Sequence, residues 1–330
     1  MCLGSGLTFR KIRRVVVAGC LATAFATTDR AGAAITGPYT PDANTLHLWH
    51  LDEAGAPAAD SAPGANNLPM NGLLNNAVLG APSFTGFGTS LDTSNTGATT
   101  NRPILLAAPA VANGAGDNVP FSHADPATGA FTLEAIVRFA YDPSGPPAGR
   151  NNTLQIVSMD GEAGPERVFQ FRIDPIGFTS GTSDNTRNRL EFINILGGAA
   201  TSTVVNLPNS GLNAPDQGSW FHVAAAYNGV ENSPNNLSLY WTKLDPAATE
   251  AALLAQAQMT ADMITTPGDF AIGNEGRSTG NESENFLGQV DEVRISGVAR
   301  GPGDFIFVPE PSTAALLAAG VFGVLARRRR

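Results

Sequence analysis

Phe131-Thr132-Leu133-Glu134-Ala135-Ile136-Val137-Arg138-Phe139 decides the fold. Side chains alternate between two faces along a strand. Phe131, Leu133, Ala135, Val137 and Phe139 therefore share one face, and Thr132, Glu134 and Arg138 share the other with Ile136. The pattern predicts a strand with one face in a core. Similar runs recur on both sides of it. Leu46 to Leu51, Val168 to Ile173, Leu190 to Leu196, Leu237 to Trp241, Phe270 to Ile272 and Phe286 to Ile295 all read as strands. Trp220-Phe221-His222-Val223-Ala224-Ala225-Ala226-Tyr227 is more continuously apolar and reads as a strand buried on both faces.

Stretches rich in Gly, Pro, Asn and Ala separate these runs at 52–69, 92–103, 112–130 and 142–152, and read as long loops. Short strands broken by such loops predict an all-β sandwich or barrel. One segment departs from the pattern. Ala247 to Met263 is rich in Ala, Leu, Gln and Met and holds no Gly or Pro, so it predicts a short surface helix inserted between strands.

The two ends read as addresses. Arg10-Lys11-Ile12-Arg13-Arg14 precedes an apolar run from Val15 to Ala26, the layout of a signal peptide with a helical apolar region. Small residues at Ala24 and Ala26 place cleavage at 26/27, and Ala31-Gly32-Ala33 offers a second site at 33/34. Val17-Ala18-Gly19-Cys20 resembles a lipidation box, but the apolar run before it is short and continues past it. Cys2 and Cys20 are the two cysteines of the chain, so cleavage removes every thiol and with it redox-thiol and disulfide chemistry.

At the other end, Pro309-Glu310-Pro311 precedes an apolar stretch from Thr313 to Ala326 and the cluster Arg327, Arg328, Arg329 and Arg330. This order resembles the PEP-CTERM sorting signal of exported proteins of Gram-negative bacteria. The resemblance implies processing by an exosortase-type membrane enzyme and transient membrane association through the tail. It also implies a destination in the envelope, the outer surface or a polysaccharide-rich biofilm matrix. The expected organisation is a signal peptide over 1–33, one β domain over 34–305 and a sorting segment with a hydrophobic helix over 306–330.

Of 20 basic residues nine lie in those terminal segments, against two of 29 acidic ones, so the middle is more acidic than the net −9 of the whole chain. A field of that sign repels nucleic acid and tolerates divalent cations.

The strands also carry a family likeness. Leu48-Trp49-His50-Leu51-Asp52-Glu53, Phe131 to Val137, Trp220 to Gly229, Leu239-Tyr240, Ala271-Ile272-Gly273-Asn274 and Phe286 to Ile295 occur in this order. Together with Gly86-Phe87-Gly88-Thr89-Ser90-Leu91 they resemble laminin-G-like, concanavalin A-like jelly rolls. The likeness implies two packed antiparallel sheets. It also implies a structural calcium beside the last strand, where Asp291 matches the acidic ligand position and backbone oxygens near Asn44 and Gly88 would complete the site.

That fold hosts both glycan-binding modules and glucanases, so the site must decide. Glucanases of this fold carry acidic residues at alternate strand positions, and no such run occurs here. Asp52-Glu53 and Asp291-Glu292 are sequence neighbours, expected on opposite faces of a strand. His47 and His50 diverge for the same reason, and His123 and His222 stand alone. No Gly-x-Ser-x-Gly elbow and no phosphate-binding glycine loop is present. Trp241, Tyr141 and Tyr227 are candidate platforms for a sugar ring, while Trp49 and Trp220 read as core. The expected function is non-catalytic binding or adhesion, directed at carbohydrate or an envelope protein. A matrix component without small ligand and a polysaccharide hydrolase are the alternatives.

Overall fold

In the computed structural model, Phe131 to Phe139 forms a nine-residue strand, and its inner-face residues are all buried. The structure describes residues 35, 37–63, 67–95, 103–107, 129–145, 153–160, 167–178, 186–196, 198–246, 248–263, 270–276 and 284–307. The expected signal peptide and the tail beyond Phe307 lie outside the described residues. In order the strands are β1 (Thr45–Trp49), β2 (Gly72–Leu74), β3 (Val78–Pro82), β4 (Thr89–Asp92), β5 (Ile104–Leu106), β6 (Phe131–Phe139), β7 (Leu154–Asp160) and β8 (Arg167–Asp174). They continue with β9 (Arg189–Leu196), β10 (Ala199–Asn206), β11 (Trp220–Tyr227), β12 (Leu237–Lys243), β13 (Leu253–Ala257), β14 (Phe270–Ile272) and β15 (Gly288–Ser296).

The strands build two antiparallel sheets. One has eight strands in the order β13-β12-β11-β6-β15-β4-β3, with β1 also paired to β15. The other has seven, in the order β10-β9-β8-β7-β14-β5-β2. The expected all-β sandwich is therefore present. Its core lies between the inner faces. Trp49 of β1 stacks on Phe270 of β14 with ring centroids 5.0 Å apart, and Phe131 of β6 meets Phe192 of β9 at 5.6 Å. Both contacts join one sheet to the other. Such aromatic pairs bury large apolar areas and supply much of a sandwich's cohesion.

A second apolar cluster covers the outer face of the eight-stranded sheet. It contains Tyr39, Leu48, Ile136, Trp220, Tyr240, Phe305, Ile306 and Phe307. Ile35 and Phe307 form an antiparallel bridge, so segments from both ends of the domain lie on this face together. That explains Ile136, whose apolar side chain sits among polar residues on the second face of β6.

The helix expected from Ala247 to Met263 is not formed. Residues 253–257 are instead the edge strand β13, paired with β12 from Leu237↔Ala257 to Tyr240↔Leu253. The exposed backbone edge of β12 supplies hydrogen-bond partners that an isolated surface helix lacks, and this tertiary gain outweighs intrinsic propensity. Ala248 and Ala251 before the strand are buried against the outer-face cluster. Among the described residues, the helical element is the 3-10 turn Pro302–Asp304. No helix among them is long and apolar enough to cross a membrane.

Candidate functional site

The last strand carries the feature that positions the acidic site. The register of β15 against β6 shifts between Asp291 and Arg294, and Glu292 takes φ +50. This is a bulge, which inserts an extra residue and re-aims side chains. Along the opposite edge of β15, β4 pairs with Gln289 and Val290, and β1 pairs with Val293 to Ser296. The bulge thus falls at the seam where β4 ends and β1 begins.

Asp291 is fully buried at this seam. It accepts hydrogen bonds from Ser83 Oγ and from the Glu292 backbone N–H, the latter at 2.8 Å. Burial first, then the charges of Glu292 and Asp52, push its carboxyl well above the usual range. Asp52 Oδ1 accepts the Thr89 backbone N–H at 2.7 Å and lies against Gly88. Gly88 has φ +78, a conformation that strains other residues, and a Cβ there would come within 2.1 Å of the Asp52 carboxylate and push it aside. Its carbonyl accepts the Ser83 N–H at 3.2 Å. Gly88, Ser83, Asp52 and Asp291 therefore belong to one constellation.

Asn44 does not. Its carbonyl accepts the Gly297 N–H at 2.9 Å, at the opposite end of β15. That point lies six positions along the chain from Asp291, roughly 20 Å at strand rise. The antiparallel register carries Leu51 toward Asp291 instead. Among the described residues no three His, Cys, Asp or Glu side chains converge as a metal site, so a cation here would need hydroxyl and backbone oxygens as well.

Glu292 turns the other way. Its Oε1 pairs with His50 Nδ1 at 2.7 Å, and its Oε2 accepts the Tyr39 N–H at 2.7 Å. His47 pairs with Asp60 at 2.7 Å and stacks on Trp49. The two histidines thus serve different carboxylates, as expected for i and i+3 in a strand, and His123 lies outside the described residues. On the outer face of the same sheet, Glu134 Oε1 accepts from Arg294 Nε at 2.5 Å, and Oε2 stands 3.4 Å from His222 Nε2. Burial alone would raise the Glu134 pKa, but Arg294 and His222 hold it below the usual value.

The three proposed sugar platforms are core residues. Trp241 is 1% exposed, stacks on Phe221 at 4.7 Å and donates its indole N–H to the Asn213 carbonyl at 2.9 Å. Tyr141 is 8% exposed and packs edge-on against Phe139. The Tyr227 ring is buried and its hydroxyl donates to Asp262 at 2.8 Å. Rings packed on both sides have no face for a sugar. The alternation that turns Trp241 inward turns Tyr240 outward, where Phe305 covers it at 5.1 Å.

Sequence reasoning missed Ser83, whose loop position carries no acidic signal. It also treated Asp52 and Asp291 as separate, because only the pairing of β15 with both β1 and β4 brings them together.

The comparisons with known proteins place the C-terminus. Residues 307–330 match the PEP-CTERM protein-sorting motif. The motif marks the chain for export to the envelope or surface of a Gram-negative bacterium, with processing by an exosortase. Pro309, Glu310, Pro311 and the four terminal arginines fall within it. No curated protein matches the chain. Among solved structures, the chain is similar to a candidate carbohydrate-binding protein from Bacteroides ovatus. Identity there is 21% over 54% of this chain and 40% of that one, with a TM-score of 0.32. The binding domain of botulinum neurotoxin serotype C1 shares 10% identity over 79% of this chain and 50% of its own, with a TM-score of 0.48. The CBM40 of a Ruminococcus gnavus sialidase, bound to α2,3-sialyllactose, shares 12% identity over 54% and 80%, with a TM-score of 0.36. The chain spans half or less of the Bacteroides and neurotoxin chains.

Proposed function

We propose that this chain is an exported, non-catalytic binding module that recognises carbohydrate or matrix at the bacterial surface, with one structural calcium at Asp291. The observation that carries the reading is the commitment of three buried carboxylates to internal partners. Glu134 is held by Arg294 and His222, Glu292 by His50, and Asp60 by His47. Glycoside hydrolysis needs one carboxyl free to donate a proton and another free to attack or activate water. Carboxylates tied into pairs serve neither role. The resemblance to laminin-G-like jelly rolls and the export signal support the same reading.

The calcium assignment rests on chemistry at the seam. Asp291 brings a buried carboxylate with hydrogen-bond donors beside it, and the acidic Asp52 is its electrostatic neighbour. Calcium accepts carboxylate, hydroxyl and carbonyl oxygens in flexible geometry. Asp291, Asp52, Ser83 Oγ and nearby carbonyls would hold it, and the ion would supply the charge compensation that burial demands.

Melting curves of the full chain with calcium, with chelator and with a glycan panel test both parts. A calcium-dependent rise with a further rise on one glycan is expected. Absence of any glycan effect would leave a matrix component, and release of reducing ends would make the chain a hydrolase.

A further inference from the structure

The apolar cover on the outer face of the eight-stranded sheet stops short of one end. Ile136 of β6 is fully buried, whereas Arg138, two residues further along the same face, is half-buried. Val137, Leu91 and Val290 belong to the core between the sheets, so alternation turns Arg138 of β6, Asp92 of β4 and Gln289 of β15 to the outer face. Cross-strand pairing sets Gln289 opposite both Asp92 and Arg138. The three form one row across the sheet, with the Asp92 and Arg138 backbones roughly 10 Å apart, two strand spacings.

The row is held in shape from within. Gln289 Nε2 donates to the Pro82 carbonyl at 3.2 Å and to Ser90 Oγ at 3.1 Å, which fixes the amide. Its Oε1 then accepts from Arg138 Nη1 at 2.9 Å and orients the guanidinium. No carboxylate pairs with Arg138 among the described residues. Gly218 stands beside it at φ +87, where a Cβ would lie 3.7 Å from Arg138 Nη2, so glycine puts no side chain against that nitrogen. Asp92 Oδ1 accepts the Ser94 N–H at 2.8 Å. A cavity of about 330 Å³ lies over the row. Arg138, Asp92 and Gln289 line it together with Pro82, Ala140 and Gln217, and the last three are exposed, so it is reached from solvent. A space of that size, with apolar walls and a few fixed polar groups, has the make-up of a small-ligand pocket.

We infer that this cavity is a binding site for a neutral, hydroxyl-bearing saccharide, anchored by Arg138 and Asp92. The chemistry selects that class. A guanidinium only donates and an ionised carboxylate only accepts, so a ligand that reaches both must offer acceptors at one end and donors at the other. Sugar hydroxyls do both. An acidic group would pair with Arg138 and be repelled by Asp92, and a cationic group would do the reverse. Pro82 and Ala140 offer apolar surface to the C–H face of a ring. Two linked sugar rings span the gap between the two anchors.

The inference rests on the carbohydrate-binding reading and adds its location and ligand class. Calorimetric titration of the full chain tests it, with dextran, mannan and galactan oligosaccharides as neutral probes and polygalacturonate as the acidic one. Binding of a neutral probe is expected, weakened at least tenfold by Arg138→Met and by Asp92→Asn. The second variant keeps the acceptor for the Ser94 N–H but presents an amide donor where the carboxylate accepted, so it changes the cavity without removing a structural bond. Melting temperatures without glycan check that both variants fold. Equal binding by the parent and both variants would place the sugar elsewhere and leave the general function standing. Binding of the acidic probe alone would overturn the ligand class. Binding of none would overturn both this site and the carbohydrate reading.

Discussion

Glu134 on β6 and Arg294 on β15 face each other across the sheet with Arg294 Nε 2.5 Å from Glu134 Oε1, both shielded from solvent. Arg294 also lies over the Tyr39 ring, 3.9 Å from its centroid, and donates to the Asp304 carbonyl at 3.2 Å. The pair thus ties the sheet to both covering segments. Removing one partner of a buried pair leaves an uncompensated charge and costs about 3–5 kcal/mol. Glu134→Ala is expected to lower stability by that amount in urea unfolding, with Arg294→Met close behind. The double variant Glu134→Leu with Arg294→Met should lose less than the sum, because it leaves no orphan charge.

The strands that were legible in the sequence are those whose alternation meets a core on one side. Phe131 to Phe139 and Trp220 to Tyr227 needed no tertiary knowledge, because their own residues define the buried face. β13 was illegible. Its Ala, Leu and Gln residues favour a helix, and only the open edge of β12 makes them a strand. The site divides in the same way. Asp291 stood out by its place in Val-Asp-Glu-Val-Arg-Ile, but Ser83 and Asp52 reach it through pairings between strands distant in sequence.

Asp174 gives the domain a pH dependence of predictable sign. Burial, then the neighbouring Glu191 charge, raise its carboxyl pKa above the unfolded value, with Arg172 and Arg189 offsetting part of the shift. The folded state therefore holds a proton that the unfolded state has released over the interval between the two values. Stability falls as pH rises through that interval, because the native state binds more protons. The contribution is fully present below the unfolded pKa and lost above the folded one. Asp174→Asn removes this proton, so its melting temperature relative to the parent is expected to climb as pH rises from 4 to 8. A difference that stays flat or falls would remove Asp174 as the source.

The proposed calcium would act on a different carboxylate, Asp291. A ligand that binds only the folded state stabilises it by about 2.7 kcal/mol at a hundredfold excess over its dissociation constant. Full-length protein is expected to gain in melting temperature with millimolar calcium and to lose the gain with chelator. Asp291→Asn should abolish the calcium effect while leaving the fold intact, since the amide oxygen still accepts the Glu292 N–H and the amide nitrogen donates to Ser83 Oγ. An undiminished gain in that variant would remove Asp291 from the site.

The end of the domain and the start of the sorting motif meet at one residue. Phe307 is buried, bridges Ile35 and lies 5.6 Å from the His222 ring, and it is also the first residue matched by the motif. Phe305 packs on His222 at 4.7 Å. The covering segment is therefore anchored upstream of Pro309, and a cut after about Pro311 would leave every one of these contacts in place. Protein recovered from the producing cells is expected to lack the residues beyond that point, as intact mass would show, and to melt at the same temperature as the uncut chain. Phe305→Ala should destabilise both forms alike, by about the 3–5 kcal/mol typical of a buried phenylalanine lost from a packed core, and lower both melting temperatures equally. Arg330 retained on all molecules would contradict processing. A melting temperature that drops on cleavage would show instead that the tail beyond Phe307 helps to hold the covering segment down.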